Sequence, residues 1–439
     1  MASGVPGSVA GMWMAHEKFG SKPWFDIIRP SIHLAQYGFE LDPLNCSYLN
    51  SNYYKSFLSK DSETKDIFTK ADDFKIGEIF FQHDLANTLR RIAFSGRDGF
   101  YKGQTAKNIV KCMERTDGII TLDDLENYEA IERNPIEFKY KNYKVYSMPP
   151  PSSGGVALAG ILKQLENIGL DTIPYHSSDY IHYIVEAERN VYSDRSLYLG
   201  DSDFNDIPIK ELISDKYSKS RWSEVDLTKA RKSSDVQEGN LMYYESEETT
   251  HYSVVDKWGN AVSVTITLNG KYGNGIVVDG AGFLLNNEMD DFSIKPGHPN
   301  MYGLVGKEAN AIAPYKRMLS SMTPTIVEDP ENNLFLVLGS PGGSTIITTV
   351  AQIAVNVIDF GMNIQDAVNA PRFHHQWLPD LIFFESNRFS EETLSNLSSK
   401  GYELSERKSI GEANCIQIGS SGIKFSAADS RRAACALAY

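Results

Sequence analysis

A threonine at the start of a strand-like run is the residue in this sequence best suited to nucleophilic chemistry. Thr249 follows Glu248 in an acidic, polar stretch and opens the run Thr-Thr-His-Tyr-Ser-Val-Val-Asp, which ends at Asp256. A threonine hydroxyl is a poor nucleophile at neutral pH unless a base lies beside it. Cleavage before Thr249 would free an α-amino group, with a pKa of about 8, in the same residue as the hydroxyl. A self-cleaving hydrolase whose nucleophile is its new N-terminal residue needs this arrangement, although the run alone is equally typical of an ordinary strand.

A glycine-rich turn in the C-terminal half could stabilise negative charge. Gly339-Ser340-Pro341-Gly342-Gly343-Ser344 follows a predicted strand at 334–338 and precedes an apolar helix predicted over 345–360. Such a turn exposes backbone N–H groups at a helix N-terminus, which could hold a phosphate, a carboxylate or a developing oxyanion. No lysine follows the glycines, so the nucleotide interpretation is weak. A purely structural turn remains an alternative.

Acidic and hydroxyl residues could bind a zwitterionic ligand. The cluster Asn286-Asn287-Glu288-Met289-Asp290-Asp291 could bind a metal ion or a substrate ammonium group, but it lacks the spacing of an EF-hand. The pair Ser320-Ser321 precedes a predicted strand and is, taken alone, ordinary turn chemistry.

Two other kinds of site are disfavoured. A serine triad is unsupported because the chain contains no GxSxG motif. The adjacent His374 and His375 would point to opposite sides of an extended chain, which favours a structural role over a metal site.

The elements expected to position these residues change in character along the chain. Residues 251–256 and 261–268 predict a hairpin joined at 257–260, which would bring Thr267 and Asn269 beside Thr249. The first half is predicted to be mainly helical, followed by one strand over 136–147 and a helix over 156–168. The predicted early helices lie at 9–19, 23–37, 84–95 and 103–116, with a helix N-cap at Thr121. The polar stretch 201–248 predicts an exposed loop that carries the cleavage site.

Composition limits the classes of partner. The chain has 439 residues and a formal net charge of −14, which disfavours nucleic acid as a ligand because phosphate binding needs a basic face. No apolar run approaches the length of a membrane span, and no secretory signal is visible at residues 1–7. The four cysteines show no CxxC spacing, so free buried thiols are expected.

Taken together, these motifs resemble the γ-glutamyltranspeptidase family over nearly the whole chain. Each matching stretch is weakly specific alone, but jointly they are highly specific. The resemblance implies an α+β fold, a four-layer αββα sandwich of the N-terminal-nucleophile hydrolases. It also implies a longer segment before the Gly-x-Pro-Gly stretch, carrying an export signal and an arginine for the donor carboxylate. The matching stretches are residues 4–11, 149–155, 249–256, 285–292, 319–324, 339–344 and 370–379.

The resemblance also implies how the precursor matures. It places self-cleavage between Glu248 and Thr249, giving a mostly helical large-subunit portion at 1–248 and a small catalytic subunit at 249–439. Thr249 would be the nucleophile and Thr267 would orient it. Gly342 and Gly343 would form the oxyanion hole.

The donor pocket is likewise implied by the resemblance. Residues expected to bind the α-amino group are Asn269, Glu288 and Asp291, and those expected to bind the α-carboxylate are Ser320 and Ser321. Tyr302, in a lid-like loop, would close over Asn269.

Glutathione or another γ-glutamyl compound is the implied donor, with water, an amino acid or a dipeptide as acceptor. No cofactor or metal is implied, and the implied location is periplasmic or extracellular. A related amidase, such as a cephalosporin or glutaryl acylase or a poly-γ-glutamate transferase, is an alternative, as is an inactive relative. The acidic cluster discriminates among the enzymes, because a donor without an α-amino group has no use for Glu288 and Asp291.

Overall fold

The chain folds into two compact units. The computed structural model describes residues 3–236, 249–293, 295–298, 300–301, 303–432 and 434–438. One unit comprises Met1–Glu132 and Leu268–Met289, and the other comprises Arg133–Thr267 and Asp290–Tyr439. These units do not coincide with the expected subunits 1–248 and 249–439. A cleavage site separates covalent chains, whereas a compact unit is defined by packing, so the cleavage remains a prediction.

The first unit is mainly helical, as the sequence predicts. Its apolar faces pack into two clusters, one around Ile92, Phe100 and Ile109 and the other around Leu58 and Phe80. Its elements are α1 (Ser8–Phe19), α2 (Trp24–Tyr37), β1 (Phe39–Glu40), α3 (Pro43–Asn50), α4 (Asn52–Leu58), α5 (Ser62–Phe68), β2 (Ile79–Phe80), α6 (His83–Ser95), α7 (Asp98–Tyr101), α8 (Gly103–Arg115) and α9 (Leu122–Asn127).

The second unit is built on an antiparallel sheet. Six strands pair in the order β13-β12-β8-β7-β4-β3, and a separate hairpin joins β5 to β6. A small mixed sheet has the order β11-β10-β9. The strands are β3 (Ile136–Tyr140), β4 (Tyr143–Ser147), β5 (Thr250–Val255), β6 (Ala261–Ile266), β7 (Thr325–Glu328), β8 (Leu334–Leu338), β9 (Phe373–His374), β10 (Ile382–Glu385), β11 (Leu404–Arg407), β12 (Asn414–Ile418) and β13 (Lys424–Ala428).

Three buried helices form the core of the second unit with this sheet. Two of them, α10 and α14, are buried along almost their whole length, and the long α11, which packs against α10 and β9, also buries most of its residues. The helices of this unit are α10 (Gly154–Glu166), α11 (Ser178–Tyr198), α12 (Ile209–Leu212), α13 (Asp215–Ser223), α14 (Thr345–Ile358), α15 (Ile364–Asn369) and α16 (Glu391–Ser399).

Side-chain hydrogen bonds fasten the β5–β6 hairpin to the six-stranded sheet. Ser263 Oγ donates to the Leu338 carbonyl at 3.0 Å and accepts from the Thr325 N–H at 3.2 Å. Asn414 Nδ2 donates to the His251 carbonyl at 3.1 Å. Both strands of the hairpin, β5 and β6, are therefore held against the six-stranded sheet, which fixes the strand that follows Thr249.

The structure corrects two of the local expectations. The single strand predicted over 136–147 is two strands, β3 and β4, because Lys141 turns the chain with a φ of +51°. The stretch 201–236 is not simply an exposed loop, since it contains α12 and α13 and buries Asp201 and Ser233. Residues 237–248, where the cleavage loop is predicted, lie outside the described residues.

Other expectations agree with the structure. The hairpin, the helix after residue 344 and the N-cap at Thr121 are present, the last with a reciprocal capping box to Asp124. Cys46, Cys112 and Cys415 are free and buried, whereas Cys435 is free but exposed. None of the described helices combines the length and the apolar composition that a membrane span requires.

Candidate active site

Thr249 and Thr267 face each other at the open end of the hairpin. The register pairs Thr250 with Ile266, which sets the two threonines opposite one another just beyond the last strand pair. Their hydroxyl oxygens are 3.5 Å apart. That separation exceeds the usual hydroxyl–hydroxyl hydrogen bond of about 2.7–2.8 Å, so the two groups are in contact without a strong bond. The sequence-based placement of Thr267 beside the candidate nucleophile is thus reproduced.

His251 lies two residues beyond Thr249, but both nitrogens of its ring form hydrogen bonds with other hydroxyl groups of the hairpin. Its Nδ1 is 2.9 Å from Thr265 Oγ1 and its Nε2 is 3.1 Å from Ser253 Oγ. Burial lowers the pKa of His251 to about 4, so the imidazole is neutral at neutral pH. The ring holds the hairpin together, and the base that Thr249 needs must come from another group, such as its own freed amine.

The glycine turn, residues 339–344, adjoins this part of the hairpin. A Cβ placed on Gly339 would lie 2.2 Å from Cε1 of His251, so only glycine fits beside this strand. Gly342 and Gly343 have φ values of +134° and +54°, which differ from those of an ordinary helix entry. In the part of the chain that the structure describes, neither of their N–H groups has a backbone or side-chain acceptor. The turn, whose first residue lies against His251 of β5, therefore presents two N–H donors without an acceptor among the described residues.

A single-atom change at Gly343 should expose the role of this turn. Incorporating glycolic acid in place of Gly343 converts its amide N–H into an ester oxygen and leaves no side chain to strain the positive φ. Loss of one oxyanion donor typically lowers the rate about 10²–10³-fold. We expect that loss in kcat for hydrolysis and for transfer together, because both would share one acylation step. The measurement is release of the aniline from a γ-glutamyl anilide, with and without a dipeptide acceptor.

The control is glycolic acid in place of Gly361, an exposed glycine whose φ of +62° is similar. A cleaved Gly343 variant that keeps either activity at the full rate would remove this N–H from the mechanism. Proline is unsuitable at this position, because its ring fixes φ near about −65°.

The serine loop, residues 319–324, is clamped by the segment that precedes α10. The Ser153 N–H and Oγ both donate to the Ser320 carbonyl, at 2.8 and 2.7 Å. Ser152 Oγ donates to the Met322 carbonyl at 2.7 Å, and the Ser320 N–H donates to Pro151 at 3.0 Å. These contacts fix the backbone on both sides of the serine pair and leave its two hydroxyls to a ligand.

The two hydroxyls of the serine pair are set up as hydrogen-bond donors. Ser320 Oγ accepts from the Met322 N–H at 3.0 Å, and Ser321 Oγ accepts from Arg195 Nη2 at 3.2 Å. Among the described residues neither hydroxyl has an acceptor for its own proton. Since a hydroxyl carries one donor and two lone pairs, both O–H groups are available to an incoming anion. This polarity suits a carboxylate and opposes an ammonium group.

Asp291 supplies the opposite polarity in the same unit. Asn300 Nδ2 donates to its Oδ1 at 3.2 Å, and Asn310 Nδ2 donates to its carbonyl at 2.7 Å. Burial and the neighbouring Asp290 raise the pKa of Asp291 to about 7, although Arg195 and the Asn300 hydrogen bond oppose this rise. Because burial disfavours the ionised form of this carboxylate, a bound ammonium ion would stabilise that form.

Two of the predicted amine-binding residues belong to the first unit. Asn269 is buried with a φ of +69°, a conformation that asparagine tolerates better than most residues, and its Nδ2 donates to the Asn287 carbonyl at 3.2 Å. The Glu288 N–H donates to Asn286 Oδ1 at 3.0 Å. Their roles toward a ligand remain predictions. Glu248 and Tyr302 lie outside the described residues.

Asn310, which no sequence motif indicates, links two parts of the second unit's site. Besides donating to the Asp291 carbonyl, its Oδ1 accepts from the Leu319 N–H at 3.0 Å, directly before the serine pair. The buried side-chain amide thereby sets the spacing between the acidic residue and the hydroxyls. Nothing in its neighbours along the chain signals this, because both partners are distant in sequence.

The predicted histidine pair has separate structural partners. His374 bonds to Thr348 Oγ1 at 2.9 Å, whereas His375 Nε2 lies 3.3 Å from Asp380. Both rings are fully buried, which lowers the pKa of His374 to about 3 and that of His375 to about 4. They are neutral packing elements of the second unit.

A threonine at the head of a hairpin strand, beside a turn with free N–H groups, is typical of the N-terminal-nucleophile hydrolases. This chain belongs to the γ-glutamyltranspeptidase family, because the family model described as Gamma-glutamyltranspeptidase matches residues 1–439. It is 47% identical over 432 residues to the glutathione hydrolase proenzyme of Escherichia coli (strain K12), covering 98% of this chain and 74% of that protein. It is 42% identical to the glutathione hydrolase proenzyme of Pseudomonas aeruginosa, and the match covers 95% of this chain and 74% of that protein.

Solved structures agree on the fold. The cephalosporin acylase of Bacillus halodurans has a TM-score of 0.80 at 23% identity, covering 98% of this chain and 78% of that chain. At this identity the likeness shows the fold alone, and it confirms the mixed helix-and-sheet fold that the sequence predicts. The γ-glutamyltranspeptidase of Helicobacter pylori has a TM-score of 0.50 at 40% identity, covering 52% of this chain and 65% of that chain.

Proposed function

We propose that this protein cuts itself before Thr249 and then transfers γ-glutamyl groups from donors such as glutathione to water or to an amine. The observation that carries the proposal is the position of Thr249 at the head of β5, in contact with Thr267 and close to the glycine turn. Membership of a family whose relatives are named glutathione hydrolase proenzymes supports both the cleavage and the donor.

Maturation needs only groups of this chain and water. Thr249 Oγ attacks the carbonyl carbon of Glu248, and the C–N bond breaks as an ester forms, with the proton passing to the departing Thr249 nitrogen. Water then hydrolyses the ester and leaves a carboxylate on Glu248 and a free amine on Thr249. The contact between Thr267 Oγ1 and Thr249 Oγ1 supports a role for Thr267 in orienting the hydroxyl in this step and in turnover.

Turnover uses the same hydroxyl with its new base. The freed amine accepts the Oγ proton while Oγ attacks the donor γ-carbonyl, and the negative charge on the carbonyl oxygen is directed to the Gly342 and Gly343 N–H groups. Collapse expels the leaving amine, which takes the proton, and leaves a γ-glutamyl ester on Thr249. Water resolves this ester to glutamate, and an amino acid or dipeptide resolves it to a new γ-glutamyl peptide.

Donor recognition follows from the polarity of the site. Asp291 suits the donor α-ammonium group, and the outward O–H groups of Ser320 and Ser321 suit its α-carboxylate. Asn269 and Glu288, and Tyr302 as a lid, are proposed by family resemblance to complete the ammonium site. The same resemblance supports a periplasmic or extracellular location and a mature protein made of the two cleaved subunits.

Comparison of two anilide donors tests this proposal against the acylase alternative. A glutaryl anilide lacks only the α-amino group, so it leaves Asp291 buried without a partner. We expect kcat/KM for the γ-glutamyl anilide to exceed that for the glutaryl anilide by more than about 100-fold, since a site built to bind a polar group rejects an analogue that lacks it. Equal or reversed preference would assign the protein to the acylases.

A denaturing gel separates both enzyme proposals from an inactive relative. Two bands are expected for the mature protein, and a permanently uncut chain without activity on either anilide would contradict the proposal. A poly-γ-glutamate transferase would in turn be recognised by transfer to a γ-glutamyl chain in preference to glycylglycine.

A further inference from the structure

Helix α11 carries an arginine and a tyrosine that contact two functional segments of the second unit. Tyr192 and Arg195 are three residues apart and so lie on one face of the helix. Tyr192 Oη donates to the Ser344 carbonyl at the end of the glycine turn. Arg195 donates through Nε to Ser153 Oγ at 2.9 Å and through Nη2 to Ser321 Oγ at 3.2 Å. One helix face therefore holds both the candidate oxyanion turn and the serine loop.

Arg195 is a buried positive charge without an ion-pair partner. Arg195 is 4% exposed. Among the described residues no carboxylate oxygen lies within 4.0 Å of its guanidinium nitrogens. Burial lowers its pKa, and the electrostatic effects of Tyr192 and Asp291 oppose this shift. An isolated buried charge is costly, so a structural role alone would favour an apolar residue or a paired one.

The other buried arginines of the second unit each form an ion pair with a carboxylate. Arg189 pairs with Glu186 at 3.2 Å, and Arg372 pairs with Asp429 at 2.7 Å. Both are as deeply buried as Arg195. The contrast marks Arg195 as a buried charge that, among the described residues, makes hydrogen bonds to hydroxyl groups and no contact ion pair.

The hydrogen bonds of Arg195 determine the direction of the Ser321 hydroxyl. Because the guanidinium occupies a lone pair on Oγ, the hydroxyl proton must point to another acceptor. The bond to Ser153 fixes the same arginine to the residue that holds the Ser320 carbonyl. The charge behind Ser321 also strengthens its O–H as a donor toward an anion.

We propose that Arg195 is a positioning residue for the donor α-carboxylate, which acts through Ser321 and sets the specificity for α-amino acid donors. The inference rests on the proposed γ-glutamyl transfer and deepens it. Arg195 is distinct from the arginine that family resemblance places before the Gly-x-Pro-Gly stretch. Together with Asp291 it gives the site one basic and one acidic group, matching the two charges of an amino acid.

Three anilide donors test this role. The γ-glutamyl anilide carries both charges, the 4-aminobutyryl anilide lacks the carboxylate, and the glutaryl anilide lacks the ammonium group. In Arg195→Lys, which keeps the charge but loses the two-pronged contact, we expect kcat/KM for the γ-glutamyl and glutaryl anilides to fall about 10- to 100-fold. The loss should lie in KM, and the 4-aminobutyryl anilide should change less than about threefold.

The outcomes separate this inference from the proposed function. Wild-type protein without γ-glutamyl activity would defeat the proposed function. An active wild type whose Arg195→Lys variant loses rate equally on all three donors would defeat the inference alone. A loss confined to the two donors with an ammonium group would instead indicate that Arg195 acts through Asp291 on the ammonium group. That result would also overturn the inference.

A second variant keeps the proposal testable if position 195 does not tolerate lysine. Ser153→Ala leaves the charge in place but breaks the link from Arg195 Nε through Ser153 Oγ to the Ser320 carbonyl, while the Ser153 N–H still holds that carbonyl. It should raise KM for the γ-glutamyl anilide and leave that for the 4-aminobutyryl anilide unchanged. Equal KM changes for both donors would contradict the proposal, provided that the variant is cleaved and melts at the wild-type temperature.

Discussion

Thr249→Ala is expected to yield a single uncut chain with no turnover of a γ-glutamyl anilide. The substitution removes the only oxygen that attacks the Glu248 carbonyl during maturation and the donor carbonyl during catalysis. Thr249→Ser, which retains a hydroxyl, should still be cut. Intact mass of the purified protein measures cleavage, and release of the aniline measures turnover.

The matched control for this prediction is Thr250→Ala. Thr250 is the next residue, is exposed, and pairs with Ile266 in the hairpin. That variant should be cut and active, because its side chain takes no part in the chemistry. Normal cleavage of Thr249→Ala at the same bond would show that another residue is the nucleophile.

Asp291→Ala should abolish most donor recognition while leaving self-cleavage intact. The donor ammonium would be buried without its counter-charge, a loss of roughly 3–5 kcal/mol by analogy with broken buried ion pairs. The measurement is kcat/KM for the γ-glutamyl anilide on the cleaved variant. A loss below about tenfold, or ~1.4 kcal/mol, would remove Asp291 from the donor site.

The pH profile gives this prediction a second readout. Because the pKa of Asp291 is raised to about 7, the carboxylate needed by the donor ammonium is lost as the pH falls through that value. KM for the γ-glutamyl anilide should therefore rise at acidic pH, whereas KM for the glutaryl anilide should not follow the same curve.

Asp290→Asn is the control for the pH profile. Asp290 raises the pKa of Asp291, and its Oδ2 accepts from the Met301 N–H at 2.8 Å, a bond that asparagine can keep. Removing this charge should move the rise in KM to lower pH. An unchanged profile in Asp290→Asn would show that a different group causes it.

Local patterns in the sequence were sufficient to predict the hairpin and the turn. Two β-branched runs separated by four turn residues specify the pairing of β5 with β6, and that pairing puts Thr267 opposite Thr249. The apolar run after the glycine turn likewise predicts α14. These features depend on neighbours along the chain, which is why sequence patterns capture them.

Short helices of the first unit were missed although the chain carries their signals. Asp42, Ser51 and Asp61 each cap the helix that follows, and each accepts a hydrogen bond from a backbone N–H in its first turn. Asp42 is also followed by proline, a favoured first helical residue. The helices span only one or two turns, so their apolar periodicity is too short to recognise.

The positioning residues could not be predicted for a different reason. Arg195 is 42 positions from Ser153 and 126 from Ser321, and Asn310 binds Asp291 across 19 positions. Within its own helix Arg195 is one of several buried polar residues, and only tertiary contacts distinguish it from the paired Arg189. Such roles are defined by the fold and leave no trace in local composition.

Peptide mass spectrometry of the mature protein, trapped with a γ-glutamyl donor, tests directly whether Thr249 is a nucleophile created by self-cleavage. We expect a second chain whose N-terminal residue is Thr249, with the γ-glutamyl group attached to that residue as an ester. A mature chain that begins at another residue, or a γ-glutamyl group attached elsewhere in an active protein, would show that Thr249 is not the nucleophile.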